Sequence, residues 1–382
     1  MSKYRLAFAV DKYFEFGGMQ RALLRIAREC ACRGHDVHIF SGSWVGQIPD
    51  GLTVHLLDGT ALTNHGSRRK FGYELRAAII GGEFDCVTGS TKVPGLDVYY
   101  GGDPCYASRV DETKGQLYKL LPRYRVLRKL EEAVFAAGKN TEILLIAHQE
   151  RDKFIRYYGT ELGRFCLLPP GIDKERLQND TPTEEVKAAI RRQFGVMPDG
   201  YMLLNVGSRF KTKGIDRAIV ALAELPKAVK PKTRLVVVGD DNPKPFVKLA
   251  TTLGIADQLI FAGARQDIAL FYYAADLLIH PSYTENTGTT LIEAMVCGLP
   301  VLVTENCGFA FHVKKAHAGL VCPSPFEQEN LNSMLAEMLT ADKRVDWSNN
   351  GSAYCEQNDL YSLIERAADI IIARAARNRG SQ

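Results

Sequence analysis

The sequence predicts an α/β protein made of two doubly wound, Rossmann-like domains that face each other across a cleft. Near the start of the chain, the apolar run Arg5–Val10, a helical pattern over residues 19–33 and the apolar run 37–40 form a βαβ unit. Residues 202–206 begin the same alternation in the second half of the chain. Because parallel strands joined by helices build an open sheet, each half is expected to form its own sheet and core.

The loop after the first strand contains the glycine pair Gly17 and Gly18. Glycine has no side chain, so these two backbone amides can approach the oxygens of a diphosphate closely. A tight turn without any ligand is the alternative interpretation. No G-x-G-x-x-G pattern follows this strand, which argues against a nicotinamide-dependent dehydrogenase.

Asp103 is a candidate catalytic residue. The apolar runs 85–89 and 96–100 predict two buried strands, and the second ends at Gly101, Gly102 and Asp103. Ligands bind at the carboxyl ends of strands in open α/β sheets, so Asp103 is in a position to take part in the reaction. The alternative is that its carboxylate caps the next turn.

The segment 106–135 is basic and amphipathic. Its cations alternate with leucines and tyrosines, and Pro122 is expected to interrupt the pattern. Such a surface can lie on an anionic membrane with its apolar side among the headgroups, whereas an ordinary helix packed on the first domain is the alternative. The expected membrane-facing cations are Lys114, Lys119, Arg123, Arg125, Arg128 and Lys129.

The domain boundary is expected near Pro170, where an apolar run gives way to two prolines and a glycine. Residues 1–170 then form the first domain and residues 171–355 the second. Apolar residues at helical spacing between 356 and 382 predict a C-terminal helix.

The second domain gathers cations after its first strand. Arg209, Lys211 and Lys213 follow the run 202–206, just before a predicted helix. Like charges repel, so a loop that gathers several cations is typical of a site that binds an anion. Each charge-assisted hydrogen bond to that anion contributes roughly 1.5–3 kcal/mol to binding. Arg265 ends a further strand toward the same edge. A solvated charged loop is the alternative, and no D-x-D pair at a strand end indicates a metal site.

Residues 277–300 form a strand, a polar loop and a short helix. Glu285 lies in the loop before Gly288, and Glu293 lies in the helix, about 12 Å away or less at 1.5 Å rise per residue. The unpaired N–H groups of a helix N-terminus suit a phosphate or a sugar hydroxyl. The two carboxylates therefore fit the hexose and the ribose of a nucleoside diphosphate sugar. The alternative is a capping box of Thr290 and Glu293, with Glu285 a solvated loop acid.

Composition excludes several classes of protein. The chain of 382 residues is 46% hydrophobic and 24% charged, with a net charge of +4 and no nucleic-acid-binding motif, so no nucleic acid partner is expected. Its nine cysteines are scattered without a C-x-x-C pair, which argues against a disulfide framework or a zinc site. Without a signal-peptide pattern or an apolar run of about 18 residues, a cytoplasmic protein without a membrane span is expected.

The chain resembles a known family over nearly its whole length. Glu285 and Glu293, followed by A-x-x-x-G-x-P-V, form a pattern similar to that of the retaining glycosyltransferases of family 4, which have the GT-B fold. Further segments resemble the lipopolysaccharide core glucosyltransferase I family of Gram-negative bacteria, the heptosyl α-1,3-glucosyltransferases. These segments are KYFEFGGMQR (12–21), TNHG (63–66), KVPGLDVYY (92–100), LPPGI (168–172), KTKGIDR (211–217), ADLLIHPSYTENTGTTLIEA (275–294) and DLYSL (359–363).

This resemblance implies transfer of a hexose, glucose before others, from a UDP-sugar to an inner-core heptose of lipopolysaccharide. Retention of the α configuration and catalysis without a metal or another cofactor are also implied. The first domain would bind the acceptor and, through segment 106–135, the anionic inner face of the inner membrane. The second domain would bind the nucleotide sugar, and the helix in 356–382 would cross back to the first.

The resemblance also assigns roles to single residues. Asp103 would lie beside the reacting centre, Lys213 would neutralise the diphosphate, and Glu285 would bind the hexose hydroxyls. Glu293 would bind the ribose. The full set of expected donor-binding residues is Gly17, Gly18, Arg209, Lys213, Arg265, Glu285, Asn286, Thr287, Gly288, Thr289 and Glu293.

Two positions depart from the family. Many relatives have an arginine where this chain has Thr212, so Arg209 or Lys211 would have to supply that charge. Glu15 stands in place of the usual proline, with Asp11 nearby, which leaves the transferred sugar open.

Several alternatives therefore stay open at the level of sequence. One is transfer of GlcNAc or GalNAc from UDP to another glycan of the cell envelope, and another is a non-catalytic, membrane-associated scaffold. Retention favours front-face substitution, in which the leaving phosphate helps to take the acceptor proton. Asp103 acting as nucleophile or base is the competing mechanism.

Overall fold

Two parallel sheets organise the chain in the computed structural model, which describes residues 2–14, 18–80, 83–177 and 181–380. The chain divides into two units, one made of Met1–Gly171 with Ser362–Gln382 and the other of Ile172–Tyr361. Glu15 and Gly17 lie outside the described residues. The prediction of two doubly wound α/β units is confirmed by the two sheets.

The first unit contains a seven-stranded sheet in the order β5-β3-β1-β6-β7-β8-β9, and every neighbouring pair is parallel. Its strands are β1 Arg5–Val10, β3 Asp36–Ser41, β5 Thr53–Leu56, β6 Cys86–Gly89, β7 Val98–Gly101, β8 Glu142–Leu145 and β9 Phe165–Leu167, with a small ribbon of β2 Tyr13–Phe14 and β4 Trp44–Val45. Its helices are α1 Gly18–Cys32, α2 Asn64–Ile80, α3 Tyr106–Thr113, α4 Pro122–Phe135, α5 His148–Tyr158 and α15 Leu363–Gly380, with 3-10 turns at Gln116–Leu120 and Leu162–Arg164.

The second unit contains a six-stranded parallel sheet in the order β12-β11-β10-β13-β14-β15. Its strands are β10 Tyr201–Val206, β11 Thr233–Val238, β12 Leu259–Gly263, β13 Leu277–His280, β14 Val301–Thr304 and β15 Gly319–Cys322. Its helices are α6 Lys174–Leu177, α7 Glu184–Gln193, α8 Ile215–Ala223, α9 Lys244–Thr252, α10 Ile268–Ala274, α11 Thr289–Val296, α12 Ala310–Ala316, α13 Gln328–Thr340 and α14 Arg344–Gln357, with 3-10 turns at Lys230–Lys232 and Ala256–Gln258.

The strands are buried on both faces, as expected where helices cover both sides of a parallel sheet. In β1, β10 and β11 every residue after the first or second is buried. In the second unit the strand order reverses between β10 and β13, so the loops after these two strands diverge from the sheet at one point. That reversal is the position at which open α/β sheets bind ligands.

The C-terminal helix α15 belongs to the first unit. Its apolar face, which includes Ala367, Ala368 and Ile371, is buried in the same core as Leu23 and Ile26 of α1. The helix therefore completes the first unit after the chain has passed through the second.

The basic stretch is interrupted at Pro122, as expected. The 3-10 turn Gln116–Leu120 ends before it, and Pro122 is the first residue of α4, where its missing N–H costs nothing and its fixed φ suits the helix. The basic segment 106–135 is therefore two helices joined by the 3-10 turn Gln116–Leu120. Within the described ranges, no helix is both long and apolar enough to cross a membrane.

Candidate functional site

Lys213 and Glu285 meet at the strand reversal of the second unit. Lys213 follows β10, Glu285 follows β13, and the Lys213 Nζ atom donates a hydrogen bond to the Glu285 Oε2 atom. Their side chains are only 17% and 18% exposed. Two residues separated by 72 positions thus form a largely buried ion pair at the edge where ligands are expected.

The path of Lys213 depends on Gly207, the first residue after β10. Gly207 has a φ of +139°, and a Cβ atom there would lie 2.8 Å from Cε of Lys213. The lysine side chain therefore lies directly over the glycine backbone. A Cβ atom at position 207 would displace the Lys213 side chain from this path.

Hydrogen bonds to its backbone carbonyl groups hold the loop 285–289 in place. The Gly308 N–H donates to the Glu285 carbonyl and the Phe309 N–H to the Thr287 carbonyl, both at 2.8 Å. The Cys307 Sγ atom also donates to the Thr287 carbonyl, at 3.2 Å. Helix α11 starts directly after this loop, and the first N–H groups of a helix have no intrahelical partner. Those donors lie at the edge that carries Lys213 and Glu285.

Gly288 is the N-cap of α11, so the capping box of Thr290 and Glu293 is wrong. Gly288 has a φ of +95°, and no side chain caps the helix. Thr290 lies inside the first turn, and its Oγ1 has no hydrogen-bond partner among the described residues. Glu293 is buried, and it accepts hydrogen bonds from Tyr272 (2.7 Å) and Arg176 (3.3 Å). A ribose hydroxyl at Glu293 would share the carboxylate with these partners.

Glu285 stays ionised over the whole ordinary pH range. Burial raises the pKa of its carboxyl, but the contacts with His280 and Lys213 lower it more, so that it ends at about 2. The pKa of His280 is lowered because burial disfavours the imidazolium form. The site therefore combines a fixed anion, a lysine and a neutral imidazole.

The other expected donor-binding cations differ in their surroundings. Lys211 donates to Asp216 (2.6 Å) and Tyr283 (2.9 Å), so its charge already has a carboxylate partner. Arg265 forms a two-point contact with Asp267 at 2.8 and 2.7 Å. Arg209 is exposed in a left-handed conformation (φ +60°) and forms no ion pair with a carboxylate of the described ranges. Arg209 is therefore the cation with the most freedom to bind an anion.

Asp103 lies in the first unit, directly after β7, in a loop that a buried ion pair holds. Lys92 Nζ donates to the Pro104 carbonyl at 2.9 Å and to Glu131 of α4 at 2.5 Å. Glu131 also accepts the first N–H groups of α3, those of Tyr106 and Ala107. Glu131 rather than Asp103 thus caps α3, and the capping alternative for Asp103 is wrong for this helix.

The glycine pair is only partly described. Gly18 is the first residue of α1, and its amide is therefore one of the donors at that N-terminus. Gly17 lies outside the described residues.

The expected membrane-facing cations fall into two groups. Lys119 pairs with Asp111 at 2.6 Å, and Arg128 pairs with Glu132 at 3.0 Å. Lys114, Arg123, Arg125 and Lys129 are exposed, and within the described part of the chain they have no carboxylate partner. Three exposed leucines accompany them in the turn between α3 and α4, namely Leu117, Leu120 and Leu121.

Three residues next to the expected donor-binding carboxylates were not predicted from the sequence. His280 lies under Glu285, and Tyr272 and Arg176 hold Glu293. A single histidine at the end of an apolar strand, or a tyrosine in a buried helix, gives no signal in the sequence. The partners of Glu293 come from elements that only the fold brings together.

Two sequence families match the chain. Residues 16–176 match Glycosyltransferase Family 4, and residues 186–354 match Glycosyl transferases group 1. The lipopolysaccharide glucosyltransferase WaaG of Escherichia coli strain K12 is 41% identical over 367 residues, which cover 96% of this chain and 98% of that protein. A D-inositol 3-phosphate glycosyltransferase of Stackebrandtia nassauensis is 28% identical, with 86% and 80% covered.

Solved structures show the same fold. The crystal structure of WaaG, a glycosyltransferase involved in lipopolysaccharide biosynthesis, matches with a TM-score of 0.83 and 40% identity over 96% of this chain and 99% of that one. The Anabaena protein Alr3699/HepE, solved in complex with UDP-glucose, matches with a TM-score of 0.69 and 20% identity over 97% and 100%.

Proposed function

Because this chain belongs to glycosyltransferase family 4, together with the lipopolysaccharide glucosyltransferase WaaG, we propose that it transfers a hexose from a UDP-sugar during assembly of the lipopolysaccharide core. The fold is GT-B, as the resemblance implied. Glucose is the first choice of sugar and an inner-core heptose the acceptor, with retention of the α configuration. The observation that supports this best is the buried Lys213–Glu285 pair at the strand reversal of the second unit.

This pair suits the two ends of the donor. Lys213 would neutralise the diphosphate, with Arg209 as a second cation, and no metal would be needed. Glu285 is anionic at every working pH and would accept hydrogen bonds from the hexose hydroxyls. The N–H groups of residues 286–289 would hold the sugar and the phosphate next to it, and Glu293 would bind the ribose.

In the reaction, a bond forms between the acceptor oxygen and the anomeric carbon while the bond from that carbon to the diphosphate oxygen breaks. The acceptor proton passes to an oxygen of the leaving diphosphate on the same face. Lys213 and the start of α11 stabilise the charge that develops there. Asp103 would lie on the acceptor side and orient the attacking hydroxyl.

We also propose that the turn between α3 and α4 attaches the protein reversibly to the anionic inner face of the inner membrane. Leu117 is 80% exposed there, and the exposed cations Lys114, Arg123 and Arg125 lie within a few residues of it in the sequence. A leucine that enters the headgroup region and basic residues near anionic lipids stabilise binding together, each basic residue by about 1 kcal/mol. The lipid-linked acceptor lies in such a surface.

The test is UDP release by the purified protein with UDP-Glc, UDP-Gal, UDP-GlcNAc and UDP-GalNAc, with and without truncated inner-core lipopolysaccharide. We expect acceptor-dependent release from UDP-Glc, its loss in Glu285→Ala, and full activity in Glu337→Ala, an exposed control on α13. The anomeric coupling constant of the product reports retention. UDP release only from UDP-GlcNAc or UDP-GalNAc would show that the transferred sugar is an N-acetylhexosamine rather than glucose. No binding of any UDP-sugar would contradict the proposal.

A further inference from the structure

His280 is the last residue of β13, and its side chain is fully buried directly under the donor site. Neither ring nitrogen has a hydrogen-bond partner among the described residues. The Nε2 atom lies 3.7 Å from the Glu285 Oε2 atom, which is beyond hydrogen-bond reach but close enough for a small movement to make the bond.

The other buried histidines of the described chain do not share this property. His35 Nδ1 accepts the Tyr4 N–H at 3.2 Å, His38 pairs with His55 at 2.8 Å, and His312 pairs with Tyr354 at 2.7 Å. A buried polar group without a hydrogen-bond partner is costly, because it has lost its hydrogen bonds to water and gained none in the protein. The contacts within the unliganded protein therefore do not explain why the His280 ring is buried without a hydrogen-bond partner.

Three other buried polar atoms also lack a hydrogen-bond partner in the described part of the chain, namely Ser282 Oγ, Thr290 Oγ1 and Asn205 Oδ1. Asn205 lies in β10, Ser282 follows β13, and Thr290 lies in the first turn of α11, so all of them belong to the elements that meet at the strand reversal. A ligand bound there can supply the hydrogen bonds that these atoms lack.

We propose that His280 is a positioning residue that takes over Glu285 from Lys213 when the donor binds. The inference rests on the proposed function, in which Lys213 moves to the diphosphate. A diphosphate carries more negative charge than one carboxylate, so it competes for the ammonium group. With UDP alone, Lys213 would bridge the diphosphate and Glu285, whereas the hexose of a UDP-sugar would lie between them and part Lys213 from the carboxylate. Glu285 would then remain a largely buried anion without its charged partner, which is unfavourable.

The neutral imidazole of His280 prevents this. Its Nε2–H donates to the Glu285 Oε2 atom once Lys213 has left, and the Oε1 atom stays available for the hexose hydroxyls. Burial keeps the ring neutral, so it fixes the carboxylate without adding a second cation beside Lys213. His280 therefore acts on the sugar end of the donor and leaves the diphosphate end unchanged.

This division predicts a sugar-specific effect. We would measure the dissociation constants of UDP and of UDP-glucose for the wild type, His280→Leu and His280→Gln by titration calorimetry. His280→Leu should weaken UDP-glucose binding at least about tenfold and change UDP binding by less than about threefold. His280→Gln, which retains a donor of similar reach, should recover part of the loss. His35→Gln, a buried histidine of the first unit, is the matched control and should bind both ligands normally.

Equal weakening of UDP and UDP-glucose, or none, would overturn the role of His280. If the wild type binds no UDP-sugar, the proposed function fails instead, so the two failures are distinguishable. A second measurement needs no variant: in NMR spectra of the wild type, the His280 Nε2–H proton should shift downfield with UDP-glucose and not with UDP. An unchanged signal with both ligands would likewise contradict the proposal.

Discussion

Arg209 and Lys211 both precede Lys213 in the loop after β10, but only Arg209 has no carboxylate partner among the described residues. Lys211 is bonded to Asp216 and Tyr283, whereas Arg209 is exposed. We expect Arg209→Ala to weaken UDP binding about tenfold and Lys211→Ala less than about threefold, since a charge-assisted contact contributes roughly 1.5–3 kcal/mol. Calorimetry with UDP checks this. A larger loss of UDP affinity in Lys211→Ala than in Arg209→Ala would show that Lys211 supplies the charge that many relatives have at position 212.

Glu285 predicts a dependence of stability on pH. Its pKa falls from 4.5 to about 2 on folding, because the contacts with His280 and Lys213 outweigh burial, which raises it. Since the folded-state pKa is the lower one, this stabilisation is complete above pH 4.5 and is lost as the pH falls from 4.5 to 2. The shift contributes on the order of 3 kcal/mol to the free energy of unfolding.

Urea unfolding across this window measures the effect. The free energy of unfolding of Glu285→Gln should fall less steeply between pH 4.5 and pH 2 than that of the wild type. The exposed Glu337→Gln should follow the wild type. Parallel curves for Glu285→Gln and the wild type would show that the carboxyl is not held as an anion.

Single residues also show where prediction from sequence ends. The spacing of Glu285 and Glu293 and the cations around Lys213 predict a donor-binding loop, because motif and strand end coincide. The partner of Lys213 could not be identified, since 72 positions separate it from Glu285 and only the strand order joins them. The alternative of a capping box at Thr290 could not be excluded from the sequence, because the left-handed backbone of Gly288, which sets the helix start, is not visible in the pattern.

At the scale of elements, the start of α11 depends on Gly288. Its φ of +95° favours glycine, and a Cβ atom there would collide with the Cys307 Sγ atom. We expect Gly288→Ala to destabilise the second unit by about 2–4 kcal/mol, from backbone strain of roughly 1–2 kcal/mol plus the overlap. Thermal unfolding and UDP-glucose binding both report the loss.

Gly254 is the matched control for this substitution. It also has a positive φ (+69°), but a Cβ atom would meet nothing within 4 Å. Gly254→Ala should therefore cost only about 1–2 kcal/mol and leave donor binding intact. Cys307→Ala should partly rescue Gly288→Ala by removing the sulfur atom. Equal losses in the two glycine variants would contradict the collision.

The turn between α3 and α4 is the element expected to contact lipid. We expect the double variant Leu117→Asp, Leu120→Asp to reduce sedimentation with anionic vesicles at least about tenfold, because each buried leucine contributes roughly 1.5–3 kcal/mol. Binding of the wild type should also weaken at high salt, which screens the exposed cations. Leu162→Asp, at an exposed leucine of the first unit, is the control. Equal binding of the double variant and the wild type would exclude this turn from the contact.

Element ends were predictable where a proline follows the apolar run. Apolar runs such as β13 end at Pro281 in both sequence and structure, because proline stops the strand. Pro122 likewise interrupts the basic segment, as its position predicts. The pattern did not show that α4 begins at this proline, because a proline within a helical pattern either breaks a helix or begins one.

At the scale of the whole molecule, the chain leaves the first unit at Gly171 and returns to it at Ser362. Helical spacing predicts α15 itself, but spacing does not say which core a helix completes. Its ion pairs show the answer: Arg374 contacts Asp97 and Arg379 contacts Asp85, both in the first unit. The first core is therefore complete only after the second unit has been synthesised.

This discontinuity predicts that a change in the last helix weakens the first unit. Ile371 is fully buried in the core of that unit, and Ile371→Ala should lower its free energy of unfolding by about 2–5 kcal/mol. Ile80→Ala, at a 73% exposed isoleucine of the same unit, should change it by less than about 0.5 kcal/mol.

The two tryptophans separate the readouts, because Trp44 lies in the first unit and Trp347 in the second. Urea titrations in a Trp347→Phe background follow the first unit, and those in a Trp44→Phe background follow the second. An Ile371→Ala transition that shifts only the Trp347 signal would show that α15 stabilises the second unit instead.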